Sequence, residues 1–350
     1  MKAPLLIVGN FLSATRGIRS VCEELTDRLR VCGWTIVTTS SRRTRVGRLF
    51  DMTWTVVRKH SRFAIAHVEV YSGPSFIWAE CVCQLLSIFR KPFVLTLHGG
   101  GLPDFGRRWP CRVSRLLRQA SVVTVPSGFL GDRMSRHRAD LRLVRNGLDL
   151  EAYSYRLRSS PTAKLVWVRA FHFMYNPLLA VRVVELLRHR FPDVHLSMVG
   201  PDKGDGSFKA TQEEVRRFGL QSHVNLAGQI KKADIPSVLA LEDIFLNTTN
   251  VDNAPVSVVE AMACGCCVVS TNAGGIPYLL SDGEDALLVP PENAGSMADA
   301  VARIMDGGGI AARMSRNARA KAAQHDWKSL IPVWESIYHE VAADSPIRLK

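Results

Sequence analysis

The chain has no run of about 20 apolar residues free of charge, the length a membrane-spanning helix requires, so no transmembrane helix is expected. The nearest approach, Phe76 to Phe89, is too short and is broken by Glu80 and Gln84. Eight cysteines are scattered irregularly, Cys81/Cys83 and Cys264/Cys266/Cys267 among them, without the paired CxxC elements that a zinc site takes. Packed thiols in a reducing cytosol are expected instead. Walker, HExxH and GxSxG motifs are missing, and so are tandem repeats and low-complexity segments. The apolar run near Met1, ending at Gly9, reads as a first strand entering a loop and not as a signal peptide.

What is present points to two domains of ordinary size, with 47% hydrophobic residues to fill two cores. Strands are expected at Leu5–Val8, Trp34–Thr39, Phe63–Val70, Pro92–Leu97, Ser121–Val125 and Leu141–Val144, with helical segments between most of them. That alternation is the pattern of a doubly wound parallel sheet. Asn146-Gly147 and the polar run Arg156 to Pro161 are expected to form a linker. The pattern then restarts, with strands at Lys164–Val168, Val194–Val199, His223–Ala227, Asp243–Asn247, Cys267–Ser270 and Ala286–Val289. Three helices close the chain, the last from Trp327 with Leu330, Val333, Trp334, Ile337 and Val341 on one face.

Charge is uneven. Residues 1–160 hold 26 Lys and Arg against 11 Asp and Glu, whereas residues 161–350 hold 19 against 21. The excess is mostly arginine, including Arg42, Arg43, Arg45 and Arg48, then Arg107, Arg108, Arg112 and Arg115. One half of the chain is therefore expected to meet an anionic surface or polyanion. The bland alternative is a solvated surface in a basic protein. No recognisable nucleic-acid module accompanies the arginines, so no nucleic-acid partner is expected.

The most informative stretch runs from Asp252 to Gly265. Pro255 suits a first helical turn and Gly265 a helix C-terminus, and between them Val256 to Cys264 is apolar on nearly every face. Glu260 is the only acidic or basic residue of this helix. A buried carboxylate needs polar partners; either an Arg or Lys elsewhere in the chain or the hydroxyls of a ligand would serve. The helix N-terminus offers free N–H groups to a phosphate. Asp252, just before the helix, can cap it or contact a ligand. A strand, the turn Gly274-Gly-Ile-Pro277 and another strand follow.

This ordered set resembles the donor-binding signature of retaining GT-B glycosyltransferases, family-four type (glycosyl transferases group 1). That family carries two acidic residues separated by seven, then Ala-Met-Ala-x-Gly and Gly-Gly-x-Pro. Here the acidic pair is Asp252 and Glu260, with Asp in place of the first Glu. The resemblance implies an α/β protein of two Rossmann-like domains facing a cleft, the GT-B fold. Residues 1–158 would form the acceptor domain, completed by the last helix within 327–350, and residues 159–326 the nucleotide-sugar domain.

It also implies roles. Glu260 would hold the ribose, and Arg169 with the helix N-terminus the diphosphate. His98 and Asp252, with the backbone N–H groups after it, would hold the sugar, so that Asn253, Ala254, Pro255 and Val256 all belong to the donor site. His98-Gly-Gly-Gly101 follows a strand, and Gly99 would let a ligand approach the backbone, as Gly200 would at the end of another strand. Arg16 and Gly17 lie in the first-domain loop beside the donor, which has only Gly9 and Gly17 where the family has paired glycines. The family's Lys about six residues after the Arg is missing; either Lys203, His172 or Arg16 would substitute, or the helix N-terminus near Pro255 would carry more of the load. Asn146-Gly-Leu-Asp149 resembles an interdomain element and is read as architecture.

The implied reaction moves a sugar from a nucleotide-diphosphate-sugar to an acceptor hydroxyl, with no metal and no cofactor. The basic first half suits a lipid-linked glycan acceptor in surface polysaccharide assembly, and a cytoplasmic enzyme held peripherally at the anionic inner face of the plasma membrane. A soluble acceptor is the alternative. So is a non-catalytic binding subunit, motivated by the missing Lys and the Asp substitution.

Overall fold

The computed structural model describes residues 2–13 and 20–343, which form two compact α/β units. One is Met1–Gly147 with Trp327–Lys350, the other Leu148–Asp326. The first unit holds β1 (Leu5–Val8), β2 (Ile36–Thr39), β3 (Ile65–Val70), β4 (Phe93–Leu97), β5 (Val122–Val125) and β6 (Leu141–Leu143). All pair in parallel in the order β2-β1-β3-β4-β5-β6. Helices cover both faces of this sheet, so β1 near its middle is apolar throughout; Leu5, Leu6, Ile7 and Val8 are all buried.

Alternation along each strand divides the first unit's core in two. Leu6, Val8, Ala66, Val68, Leu95 and Val123 pack under the helices Arg45–Lys59, Phe76–Ile88 and Pro110–Gln119. Leu5, Ile7, Ile65, Val94 and Val122 face the helices Val21–Val31 and Trp327–Ala343. The former helix starts in a capping box: Ser20 accepts from the Glu23 amide while Glu23 accepts from the Ser20 amide. The latter buries Leu330, Trp334, Ile337 and Val341 as expected, but Val333 is exposed and Ile331 and Tyr338 are buried in its stead. The apolar face runs around the other side of Trp334. Gly147 is required where the two ends of this unit meet, since a Cβ there would lie 2.2 Å from the Trp327 ring.

The second unit holds β7 (Lys164–Val168), β8 (His195–Val199), β9 (Val224–Gly228), β10 (Ile244–Asn247), β11 (Cys267–Thr271) and β12 (Ala286–Val289). These too are all parallel, in the order β12-β11-β10-β7-β8-β9. One core lies between this sheet and the helices Pro177–Leu187, Ala294–Met305 and Ile310–Ala322. The other lies under the helix Val256–Cys264, whose Val258, Ala261, Met262 and Cys264 are fully buried.

The units divide after Gly147, at the Asn146-Gly147 part of the expected linker, and the polar run 156–161 lies within the second unit. Arg158 is 1% exposed and donates to the carbonyls of Leu239 (3.2 Å), Ala240 (3.3 Å) and Glu242 (2.8 Å) and to that of Cys264. It thereby satisfies the open carbonyl ends of the helices Ile235–Leu241 and Val256–Cys264, an arrangement the helix dipoles favour. A polar composition reads as a loop because the buried carbonyls that claim the charge are distant in sequence.

Replacing Arg158 with Met strands those carbonyls and should cost about 3–5 kcal/mol in urea unfolding of the full chain. Arg156, half exposed beside Asp243 at 2.7 Å, should cost about 1 kcal/mol or less on the same replacement. Equal losses for the two would contradict this account of the segment.

Candidate functional site

In the second unit the winding reverses between β7 and β10, the place where ligands gather beyond the carboxyl ends of such sheets. Arg169 leaves β7 there and Asp252 lies beyond β10. The Arg169 Nη2 is paired with Asp252 Oδ2, and its guanidinium lies over the Tyr175 ring, 4.7 Å from Cζ to the centroid. Its Nε is buried without a hydrogen-bond partner among the described residues. Burial pushes the guanidinium below its ordinary pKa against the opposing pull of Tyr175 and Glu260. Asp252 Oδ1 accepts from the Asn253 amide at 2.7 Å, and no side chain caps the helix that follows. Of its two expected roles, capping is therefore not the one the geometry gives.

Glycine makes this arrangement possible. A Cβ at Gly274 would lie 2.2 Å from the Asp252 carbonyl oxygen, and one at Gly275 1.9 Å from that of Asn253. The Gly275 amide donates to the Asp252 carbonyl at 2.8 Å, so the turn is a bed for the chain carrying Asp252. Gly200 has the same use: a Cβ there would lie 1.6 Å from the Arg169 carbonyl oxygen. It clears the backbone of Arg169.

The helix Val256–Cys264 starts directly after Pro255, which sits at the cap position and not in the first turn. Among the described residues its first amides have no side-chain cap, and the buried Ser257 Oγ has no hydrogen-bond partner. Asn253 is buried and Ala254 half-buried on the approach to that end. Such a terminus suits an anion. One helical turn on, Glu260 is buried; it accepts from Tyr153 Oη at 2.8 Å and lies 3.4 Å from Lys232 Nζ. Both approach Oε1, which leaves acceptor capacity on Oε2. Of the substitutes considered for the missing Lys, His172 is 3.9 Å from Asp205 and Lys203 is exposed. Tyr175 occupies the sequence position where that Lys was expected.

The first unit presents a second polar group. His98 follows β4, donates its amide to the Val70 carbonyl at 2.9 Å, and places Nε2 against Glu69 Oε2. Its ring stacks on Tyr71 at 5.1 Å, and Tyr71 Oη donates to the same carboxylate at 3.2 Å. Burial alone would raise the Glu69 pKa; His98, His67 and Tyr71 outweigh it and hold the carboxyl below its usual range. Nε2 approaches the carboxylate closely but without the geometry of a formed hydrogen bond. Gly99, at φ +85°, takes the left-handed turn that carries the chain away from His98. Deeper in, His67 bridges Tyr338 Oη and Thr96 Oγ1, both at 2.7 Å. Arg16 and Gly17 lie outside the described residues.

Sequence reasoning overlooked Glu69, Tyr71, Tyr153 and Lys232. Glu69 carried a signal like that of Glu260, a lone carboxylate in a mostly apolar strand that also holds His67. Tyr153 and Lys232 carried none, because only the fold brings them to Glu260. Among the described residues no three His, Cys, Asp or Glu side chains converge as a metal site would require. Nor is any described helix long and apolar enough to cross a membrane.

Residues 157–321 match the family described as Glycosyl transferases group 1. A D-inositol 3-phosphate glycosyltransferase of Paenarthrobacter aurescens is 25% identical over 305 residues, 81% of this chain and 74% of that one. Among solved structures, sucrose-phosphate synthase from Thermosynechococcus elongatus superposes with a TM-score of 0.80 at 17% identity, covering 98% of this chain and all of that one. Anabaena HepE bound to UDP gives 0.76 at 17% identity, covering 97% of this chain and all of the other. HepE has also been solved with UDP-glucose. Both are GT-B structures, and the two parallel six-stranded sheets are the fold they share with this chain.

Burial pushes the His67 pKa down to about 4, against the pull of Glu69. Between that value and about 6.5 the unfolded chain takes up a proton that the folded chain refuses. Stability from this group is complete above about pH 6.5 and should fall by roughly 2–3 kcal/mol as the pH drops towards 4. In urea unfolding at a series of pH values, His67→Gln should flatten that fall. An unchanged pH slope in the variant would show that His67 is not the buried neutral group.

Proposed function

The chain belongs to the group 1 glycosyltransferases of GT-B fold, and on that premise we propose that it transfers a sugar, with retention of configuration, from a nucleoside-diphosphate-sugar to an acceptor hydroxyl. The observation that carries this reading is the meeting, at the switch point of the second sheet, of Arg169 with an uncapped helix end and the unpartnered Ser257 hydroxyl. That is a site for a diphosphate. Glu260, one turn along the helix, offers Oε2 to the ribose hydroxyls, with Tyr153 and Lys232 holding its other oxygen. The UDP and UDP-glucose bound by HepE favour this class of donor.

In the reaction the bond from the sugar's anomeric carbon to the diphosphate oxygen breaks, and a bond to the acceptor oxygen forms on the same face. The acceptor proton passes to a donor phosphate oxygen, so no enzyme nucleophile is needed. Charge gathers on the leaving diphosphate, and Arg169 with the helix N–H groups opposes it. Asp252 now holds Arg169; on donor binding the diphosphate takes over that guanidinium and frees Asp252 for sugar hydroxyls. No metal or cofactor is assigned.

The acceptor is read as a hydroxyl on a phosphate-bearing molecule. A lipid-linked glycan at an anionic membrane suits the basic first half of the chain, with the enzyme peripheral and cytoplasmic. A soluble phosphorylated polyol is the second reading, favoured by the name of the P. aurescens relative.

A thermal-shift panel of nucleotide sugars on the full chain tests the proposal, since a ligand at 100 times its dissociation constant adds about 2.7 kcal/mol. No shift with any of them would overturn it, and a shift without donor hydrolysis or transfer would favour a non-catalytic subunit. Glu260→Gln should weaken donor binding by about 1.5–3 kcal/mol in a titration of the folded variant. Activity should survive a strong chelator; a loss restored by magnesium or manganese would refute the metal-free mechanism.

A further inference from the structure

The helix Arg45–Lys59 has two apolar faces, of which the fold uses one. Met52 and Val56 are buried in the first unit's core. On the opposite side Val46, Phe50, Trp54 and Val57 are 80%, 66%, 49% and 39% exposed. Their spacing of four, four and three residues keeps them on one stripe along the helix. The Phe50 and Trp54 rings stack on each other at 5.9 Å. An exposed stripe of this kind, with two aromatics, marks a docking surface.

The charges around it say what docks. Arg42 and Arg43 precede the helix, Arg45 opens it, and Arg58 lies over the Trp54 ring at 5.5 Å. None of these four has an acidic partner among the described residues. Asp51 is the helix's one acid, and it accepts from Thr39 Oγ1 at 3.3 Å on the sheet side. By contrast, the arginines singled out from the sequence near residue 110 are partly spent: Arg107 pairs with Asp104 at 2.6 Å, and Arg112 with both oxygens of Glu80. A protein partner would meet an apolar ridge with acids around its own groove. An anionic bilayer meets both features at once, because aromatic side chains settle at the headgroup level while arginines stay with the phosphates.

We propose that the outer face of Arg45–Lys59 is where this protein docks on an anionic phospholipid surface, with Phe50 and Trp54 entering the headgroup region and Arg42, Arg43, Arg45 and Arg58 binding lipid phosphate. This rests on the reading of a peripheral enzyme with a membrane-borne acceptor and identifies the surface that brings it there. The helix lies along the interface and spans nothing; its 15 residues are about 22 Å long.

The test is co-sedimentation of the full chain with phosphatidylglycerol vesicles and with phosphatidylcholine vesicles. Wild type should bind the former, release in 1 M salt as screening shortens to about 3 Å, and bind the latter at least tenfold more weakly. Phe50→Ser with Trp54→Ser should reduce binding at least tenfold, and Arg42→Gln with Arg43→Gln and Arg45→Gln likewise. Arg107→Gln with Arg112→Gln should change it less than twofold. Full binding by the Phe50/Trp54 variant would overturn the proposal. So would vesicle-free protein whose dimerisation is lost in that variant, which would make the stripe a contact between copies. Donor binding by thermal shift is read in parallel and should be unchanged in these variants. Vesicle binding without any donor binding would strike the glycosyltransferase reading and leave the docking face standing.

Discussion

A charge in an apolar interior must meet opposite charge or hydrogen bonds, since the unpaired group costs several kcal/mol. The polar residues of both units answer to that constraint. Arg158 is buried because two helices end on it and leave carbonyls to satisfy. Glu69 is buried because His98, His67 and Tyr71 surround it. Glu260 is buried with Tyr153 and Lys232 on one oxygen, and Arg169 with an Nε that makes no hydrogen bond among the described residues. Arg158 also has a buried Nε without a hydrogen bond, but Asp243 Oδ1 lies 3.6 Å from it. What sets Glu260 and Arg169 apart is their place beyond the carboxyl ends of the second sheet, beside a helix end that no side chain caps.

The backbone supplies the other half of the site. At Gly200, Gly274 and Gly275 the chain passes so close to its neighbour that a Cβ would overlap a carbonyl oxygen. Those contacts fix where Arg169, Asp252 and Asn253 lie relative to the helix end, independent of any side-chain rotamer. A loop so constrained can present charged groups without paying for their ordering when a ligand arrives. The Arg169–Asp252 pair then acts as a resting state: it satisfies the guanidinium in the absence of a stronger anion and yields to one.

The two units divide labour by surface chemistry as well as by fold. The second is nearly neutral and invests its polar groups at one end of its sheet. The first carries the excess arginine, some of it in pairs such as Arg112 with Glu80 and Arg142 with Glu340, and some of it unpaired beside exposed aromatics. Net charge alone did not separate these cases. A paired arginine on a surface does little for binding, whereas unpaired ones around an apolar stripe attract and anchor together.

Local pattern was enough for the strands, most helices and the donor signature. Parallel strands buried on both faces read as short apolar runs, and β7 and β12 lie at Lys164–Val168 and Ala286–Val289 as read. The glycine turn and the lone Glu260 were equally legible, because each is a local departure from an apolar background. Long-range partnership was not. Arg158 looked like linker, Val333 like core, and Asp252 like a cap as readily as a ligand contact. Tyr153, Lys232 and Glu69 drew no notice. What a residue is made of and where it falls in a period are properties of its neighbours in sequence, so the chain itself determined them. Which carbonyl, carboxylate or ring it finally meets depends on elements that only folding brings within 3 or 4 Å, where hydrogen bonds and ion pairs act.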